Sequence, residues 1–269
     1  MDKMLYVAMS GAKSAMLRQA TNNNNLANIS TTGFKEDLEA SMEVNAAGRV
    51  MPTRVYTAVH PSGINGSSGD IMNTGRDLDI AIEGEGFIAI QNPDGSEAYT
   101  RAGNLKLNAA GLLETADGLP VMGNNGPITI SPYESLQVDT DGTISIVASG
   151  DTTGTLVVLD RIKLVNPDVA DLQRNENGTL GLEPRLEQTI TLENVDGELR
   201  PVEQVNGQGV QPLPADGNVG VVSGALETSN VNPAKAMINM VELSRLFEMQ
   251  LKLMKSAEEN DAAINRILG

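Results

Sequence analysis

Hydrophobic residues recur at helical spacing near both ends of the chain, and the middle follows a different pattern. Apolar positions three and four apart predict one helix over about residues 3–28. A stronger stripe predicts a second helix that begins at Pro233, with Asn232 as its cap, and continues almost to the C-terminus. The first stripe comprises Leu5, Met9, Ala12, Met16, Gln19, Asn23 and Leu26. The second comprises Ala236, Met240, Leu243, Phe247, Gln250, Met254, Ala257, Asp261, Ile264 and Leu268.

Between the two helices, short segments alternate apolar and polar residues, as β-strands do. The clearest strands are predicted at 78–82, 87–90, 105–107, 128–130, 144–146, 156–159, 162–165, 189–192 and 219–222. Asx-Gly pairs, which favour tight hairpin turns, begin at Asp94, Asp117, Asn125, Asp141, Asn177, Asp196, Asn206 and Asp216. Short strands separated by such turns predict an antiparallel sandwich or barrel. The fold of 167–215 is the least defined by these signals.

These patterns predict an α+β protein in which long N- and C-terminal helices pair as an α-helical coiled coil, with a central all-β antiparallel domain and an extended connector. The predicted boundaries are 1–34 for the first helix, 35–75 for an extended connector, 76–229 for the β domain and 230–269 for the second helix. Both apolar stripes must be buried, either against each other or on neighbouring copies. Because the first helix is marginal alone, we expect it to order only on assembly.

The charge of the chain is concentrated in its middle. Of 35 acidic residues, 29 lie in 35–229, together with 11 of the 19 basic residues. A segment this acidic repels nucleic acid and anionic lipid. Neither is therefore expected as a partner. Membrane insertion is not expected, because no apolar run approaches the length of a spanning helix. Polar residues such as Lys13 and Arg18 interrupt the first helix, which argues against a cleaved signal peptide.

Candidate chemical sites are weak, and we predict no catalytic, cofactor or metal site. Gly84–Gly86 precedes a strand, whereas a phosphate loop precedes a helix. Asp139–Gly142 lacks the spacing of a calcium loop and indicates a hairpin. His60 is the only histidine, and the chain has no cysteine. The carboxylates Asp77, Asp79, Glu83 and Glu85 could serve a glycosidase, but Asp79 and Glu83 fit a charged outer strand face. An enzyme is therefore not expected.

Four sequence motifs resemble the flagellar rod and hook protein family. Asn25–Lys35 reads Asn-Leu-Ala-Asn-Ile-Ser-Thr-Thr-Gly-Phe-Lys and is similar to the N-terminal signature of that family. Gly224–Asn232 and Arg245–Gln250 resemble its C-terminal motifs. Asp77–Phe87, followed by Tyr99-Thr100-Arg101, is similar to the opening of its β domain. The first twelve residues are most similar to the proximal rod member, and the distal rod paralogue stays an alternative.

The resemblance implies a structural subunit of the bacterial flagellar basal-body rod, which polymerises axially to form the drive shaft for motility. It implies partners among copies of the chain and neighbouring proximal and distal rod proteins. It also implies export by the flagellar type III apparatus into the periplasmic rod, without a cleaved signal peptide. The less favoured alternative is a secreted β-domain binding module whose helices only dimerise. The residues expected to carry assembly are Asn25, Leu26, Ala27, Asn28, Thr31, Gly33, Phe34, Leu226, Glu227, Ser229, Asn230, Val231, Arg245, Phe247 and Glu248.

Overall fold

The computed structural model describes residues 2–45, 55–150, 154–175, 177–182, 186–195, 198–207 and 212–268. Two long helices bracket a series of strands, so the protein is α+β. The helices are α1 (Asp2–Ala27) and α2 (Pro233–Leu268). The strands are β1 (Asp37–Asn45), β2 (Val55–Ile64), β3 (Ile71–Asn73), β4 (Ile80–Glu83), β5 (Phe87–Gln91), β6 (Glu97–Thr100), β7 (Lys106–Leu107), β8 (Leu113–Glu114), β9 (Met122–Gly123), β10 (Gly126–Pro127), β11 (Tyr133–Val138), β12 (Thr143–Ala148), β13 (Leu156–Arg161), β14 (Leu164–Val165), β15 (Leu172–Arg174), β16 (Leu180–Leu182), β17 (Leu186–Val195), β18 (Glu198–Gly207), β19 (Gly220–Ser223) and β20 (Ala225–Glu227), with a 3-10 turn at Val169–Asp171.

The chain divides into two compact units. One, the helical unit, combines 1–70 with 228–269, so both ends of the chain belong to one body. The other, the β unit, contains 71–227. The helical unit is discontinuous in sequence because its two helices, far apart along the chain, pack against each other.

The two helices pack side by side and run antiparallel. Asn22 Nδ2 donates to the carbonyl oxygen of Ala236 at 2.9 Å, near the start of α2. Gly11, further back along α1, faces the Gln250 side chain so closely that a Cβ there would lie 2.9 Å from it. Earlier positions of α1 therefore meet later positions of α2. The cap of α2 is as predicted, since Asn232 Oδ1 accepts from the backbone N–H of Lys235 at 3.1 Å.

The buried side of α1 differs from the predicted stripe. Small residues form much of the packed surface, namely the buried Ala8, Ala12 and Ala15, with Gly11 between them. Leu5, Met9 and Met16 of the predicted stripe are exposed. The heptad pattern predicted that mostly large apolar residues of α1 would face α2. Close packing of the two helices instead places residues with small side chains at the contact. On α2 the prediction fits the described side chains better, because Ala236, Leu243 and Ala257 are buried. The side chains of Asp261, Ile264 and Leu268 lie outside the described set.

The predicted connector is instead a long β-hairpin over much of its length. β1 and β2 pair antiparallel from Asp37–Ile64 to Asn45–Val55, with a register shift at Leu38 and Glu39. Both strands pack along α1. The segment showed no clean alternation because of this shift and because its many glycines and prolines are signals of irregular structure.

The β unit is built from small antiparallel sheets around an aliphatic core. The largest sheet has the strand order β14-β5-β6-β16-β15, and a second has β11-β12-β13. Every described strand pair is antiparallel. Fully buried isoleucines such as Ile88, Ile90 and Ile144 anchor the core. Most predicted strands are present, and the structure adds the strands β6, β11 and β18, which the pattern missed.

Several expectations for the β unit need correction. Residues 128–130 form only an isolated bridge at Thr129. Asn206-Gly207 ends strand β18 opposite Glu187 and Leu186, so it is a paired segment and not a turn. Asp79 is buried, not on a charged outer face, and pairs with Arg76 at 2.6 Å. The pair at Asp196 lies outside the described residues. Over its described residues, neither helix contains a stretch apolar enough to cross a membrane.

Candidate assembly site

The first motif forms the turn that ends α1 and redirects the chain. The backbone N–H of Asn28 still bonds to Asn24 at 3.1 Å, and Thr31 then bonds back to the carbonyl oxygen of Asn28 at 3.1 Å. The hydroxyl of Thr31 donates to Asn28 Oδ1 at 3.1 Å, which fixes the same turn through side chains. Gly33 has φ of 66°, in the left-handed region that favours glycine. This explains why the motif needs a glycine after the helix.

Asn25 couples this turn to the first strand of the hairpin. Its amide nitrogen donates to the carbonyl oxygen of Asp37 at 3.0 Å, and its oxygen accepts from the backbone N–H of Asp37 at 2.9 Å. Asn25 is buried, so both amide groups need such partners. The asparagine side chain therefore bonds to the backbone of Asp37 as a neighbouring strand would. It joins α1 to the start of the hairpin.

Phe34 anchors the turn in an apolar cluster that joins both ends of the chain. It is buried with Val231 and Ala236, and Leu26 and Ile29 pack against this group. Ala27, the remaining apolar residue of the motif, is exposed. The cluster thus uses residues from the end of α1 and from the approach to α2. Its composition explains why the two motifs occur together in one chain.

Asn230 is the polar counterpart of this cluster. Its Oδ1 accepts from the backbone N–H of Glu36 at 2.7 Å, and its Nδ2 donates to the carbonyl oxygens of Asn65 and Ser67, each at 2.9 Å. Ser229 contributes a shorter-range contact, accepting from the backbone N–H of Val231 at 3.3 Å. One side chain therefore joins three chain segments of the helical unit.

Leu226 and Glu227, expected in the same group, belong to the β unit. Both are buried in β20, which pairs with β3. Glu227 Oε2 accepts from Arg101 Nη1 at 2.7 Å, and the two side chains are only 1% and 2% exposed. Arg101 Nη2 also donates to the carbonyl oxygen of Gly84 at 2.7 Å, and the guanidinium lies 5.3 Å from the centre of the Phe87 ring. This buried pair ties the last strand of the unit to its central sheet.

The third motif, Arg245–Gln250, lies on α2, and its residues point to two different sides of that helix. Phe247 is half-buried and lies on the side that contains Ala236 and Leu243, which faces α1. Arg245 and Glu248 are exposed. Sequence reasoning did not single out Lys35 or Arg101, although both stand inside quoted motifs. A buried role for a charged residue leaves no periodic signal in one sequence.

Both helices expose large apolar side chains away from their common seam. Met16 is 58% exposed on α1, and Ile238 is 60% exposed on α2. Among the described side chains, the exposed large apolar residues are Leu5, Met9, Met16 and Leu17 on α1 and Met237, Ile238, Val241, Met249, Leu251 and Leu253 on α2. So many exposed large apolar residues on one body indicate a protein contact surface.

The segments considered for other chemistry have structural roles. Gly84–Gly86 joins β4 to β5 and precedes a strand. Asp141 lies in the β11–β12 hairpin and accepts from the backbone N–H and the hydroxyl of Thr143, which lower its carboxyl pKa. No group of three potential metal-binding side chains occurs among the described residues. The His60 side chain lies outside the described set.

Three family models match successive parts of the chain. The model for flagella basal body rod proteins matches residues 5–35, that for the FlgE/F/G D1 domain of flagellar hook proteins matches 81–146, and that for the C-terminal part of basal body rod FlgEFG proteins matches 222–267. These ranges contain most of the motif residues described above.

Full-length relatives extend the match. The basal-body rod protein FlgF of Salmonella typhimurium is 34% identical and that of Escherichia coli 35% identical, each over 268 residues, covering 100% of this chain and 99% of the relative. The rod protein FlgG of Buchnera aphidicola subsp. Acyrthosiphon pisum is 30% identical, covering 95% of both chains. The alternative that the chain is a distal rod protein of the FlgG type is therefore less well supported than the FlgF assignment. The chain belongs to the FlgF family of flagellar basal-body rod proteins and is a structural subunit of that rod.

Proposed function

We propose that the helical unit builds the rod by packing its exposed apolar residues against helices of neighbouring rod subunits. The observation that carries this proposal is that ten large apolar side chains are exposed among those described on α1 and α2. Burying a side chain of this kind contributes about 1.5–3 kcal/mol. Because the exposed residues lie on two helices and face several directions, one subunit can contact different neighbours through different surfaces, as a polymer requires.

Several finer features belong to the same proposal. The antiparallel α1–α2 pair acts as a coiled coil within the assembled rod, with α1 supplying the small-residue side. The rod lies in the periplasm, and its subunits reach it through the flagellar type III export apparatus, as the family resemblance implies. The motif residues from Asn25 to Phe34 and from Ser229 to Val231 hold the helical unit in the shape that assembly needs. This role is structural and requires no catalytic residue.

The competing interpretation is a β-domain module whose helices merely dimerise. In a symmetric dimer, both copies use the same single surface, and the apolar residues outside that surface stay exposed to water. Residues on α1 such as Met16 and residues on α2 such as Ile238 would then not both matter for assembly. Variants on each helix therefore distinguish a polymer subunit from a dimerising module.

Replacing Met16 with lysine tests the proposal. Met16 is exposed, so Met16→Lys should leave the melting temperature of the purified chain within about 2 °C, since surface changes alter stability little. In cells that lack the native protein, the variant should fail to restore motility, because a charge would be buried between subunits. Electron microscopy of isolated basal bodies should show truncated rods.

Asn23→Lys is the matched control, because it adds the same charge to an exposed polar position of α1 two turns further on. It should support swimming and complete rods. Ile238→Lys extends the test to α2 and should fail as Met16→Lys does. Normal rods with both Met16→Lys and Ile238→Lys would contradict the proposal.

A further inference from the structure

The β unit exposes a row of large apolar residues at the edge of one of its sheets. β13 is the last strand of the sheet β11-β12-β13, and its outer side pairs with no strand among the described residues. Leu156, Val157 and Val158 at its start are 55%, 48% and 65% exposed. Proteins usually protect such an edge with charged residues or proline, and these three positions have neither. The strand is therefore suited to contact another protein surface.

Charged residues are rare around this edge, although the β unit as a whole is strongly acidic. Residues 71–227 contain 24 acidic and 8 basic residues. The segment 142–159, by contrast, contains a single charged residue, Asp151. Two copies of so acidic a unit repel each other wherever their charged surfaces approach. A contact between copies is therefore favoured at an uncharged surface such as this one.

A second uncharged surface of the β unit is a groove of about 620 Å³. Leu107, Ala110, Ile130, Pro132 and Tyr133 help to line it, and no charged side chain is among its described lining residues. A groove of this size and character accepts aliphatic side chains and excludes charged ones.

One wall of the groove is the turn between β7 and β8, and hydrogen bonds fix its shape. Asn108 Oδ1 accepts from the backbone N–H groups of Ala110 and Leu112 at 2.9 and 3.0 Å. Gly111 has φ of 80° and approaches Ile130 so closely that a Cβ there would lie 2.5 Å from the Ile130 carbonyl oxygen. The backbone N–H of Ile130 donates to the carbonyl oxygen of Gly111 at 2.7 Å. The groove is therefore preformed, which lowers the entropy cost of binding.

The apolar strand cannot enter the groove of its own chain. Tyr133, at the groove, pairs with Ala148 of β12, and Leu156 pairs with Val147 of the same strand. β12 therefore lies between the groove and β13, which are two strand spacings or about 10 Å apart. Because the hydrogen bonds to β12 hold β13 in place, the strand can fill only the groove of another molecule.

We propose that residues 156–158 of one copy dock in this groove of a neighbouring copy. Aliphatic side chains then meet an apolar groove, and neither surface brings a charge into the contact. The strand and the groove are different surfaces of the same chain, as a contact that repeats from copy to copy requires. This contact joins β units and is separate from the helical contacts proposed above.

Cross-linking between two marked copies tests the contact directly, because the chain has no cysteine of its own. Cells would produce an affinity-tagged Val157→Cys copy and an untagged Ala110→Cys copy, and isolated basal bodies would be treated with a short bis-maleimide. Both positions are exposed, so both variants should fold. The product joining tagged and untagged copies should form about fivefold more than with a control position, since contact raises the effective concentration of the two thiols.

Thr140→Cys in place of Ala110→Cys is that control. Thr140 is exposed and lies beyond the far end of β11, about 20 Å from Tyr133 along the strand. Rod length in the same basal bodies is measured by electron microscopy. Complete rods that contain both copies but no product of Val157→Cys with Ala110→Cys would overturn this contact and leave the proposed helical contacts intact.

An exchange of charge gives a second test. Val157→Glu should leave the melting temperature of the purified chain within about 2 °C, because the residue is exposed. It should reduce the number of complete basal bodies per cell about tenfold, because the groove buries an unpaired carboxylate. Ala110→Lys in the same chain places an opposite charge across each contact and should restore most of that number. An undiminished number with Val157→Glu, or no restoration by the second change, would overturn the pairing.

Discussion

At the scale of single residues, the motifs work mainly inside the chain. Asn25 and Asn230 are the clearest cases, since each uses both ends of its amide to join separate backbone segments. Asn22 similarly bonds across to α2. Within the described residues, all three asparagines join segments of the helical unit.

Gly33→Val tests the turn after α1. A valine at a φ of 66° is strained, so the turn should distort and displace Phe34 from its cluster. We expect the melting transition of the β unit to be unchanged and rod assembly to fail, measured by calorimetry and electron microscopy. Gly217→Val is the control, because a side chain there meets open space. Complete rods with Gly33→Val would show that the turn does not govern assembly.

The Arg101–Glu227 pair gives a prediction for the β unit. Arg101→Met leaves the buried Glu227 carboxylate without its partner and should lower the free energy of unfolding by about 3–5 kcal/mol. Arg161→Met removes a half-exposed partner 3.9 Å from Asp141 and should change it by less than about 1 kcal/mol. Urea denaturation of both variants measures the contrast. Equal effects would mean that burial does not control the strength of these pairs.

At the scale of elements, the two helices use different surfaces for the same contact. α1 offers alanine and glycine along the seam, and α2 offers Leu243 and half-buried Phe247. Small residues on one helix allow the larger ones on the other to approach closely. The larger residues of α1, such as Met9 and Met16, are thereby left outside the seam. The division leaves apolar surface for neighbouring subunits without weakening the pair.

Phe247→Ala tests the seam. Phe247 is half-buried, so the loss should be about 2 kcal/mol, below the roughly 3–5 kcal/mol of a fully buried phenylalanine. The loss should appear in the helical transition seen by circular dichroism at 222 nm, a standard helix wavelength, while the β unit melts as before. Leu251→Ala, at an exposed position one turn on, is the control. An equal loss in the β unit would place Phe247 in that core.

At the scale of the whole molecule, two bodies of different construction share one chain. The β unit has a closed aliphatic core around residues such as Ile88 and Leu113. In the described part of the helical unit, the contacts are the α1–α2 seam, the hairpin along α1, the small cluster around Phe34 and a set of amide hydrogen bonds. A body with fewer buried apolar contacts opens more readily. The two units should therefore differ in stability before assembly.

Hydrogen exchange of the free chain measures this difference. Amides in 1–28 and 236–269 should exchange faster than those in 78–222, because helices with a thin seam open locally. After incorporation into rods, both helices should become protected as their exposed apolar residues are covered. Equal protection of helices and β unit in a verified monomer would show that the seam alone stabilises the helices.

The sequence by itself determined the elements that depend on neighbours along the chain. Helical periodicity located α1 and α2, the Asn232-Pro233 pair fixed the start of α2, and alternation located most strands. The motif residues predicted the family.

Only the tertiary structure decided which surface of each element is used. It placed the first and last helices in one unit, turned α1 so that alanines and not methionines face α2, and paired 37–45 with 55–64 in a hairpin. It also buried Arg101 against Glu227. These outcomes depend on residues far apart in sequence, and periodicity reports only that a side is apolar, not which neighbour covers it.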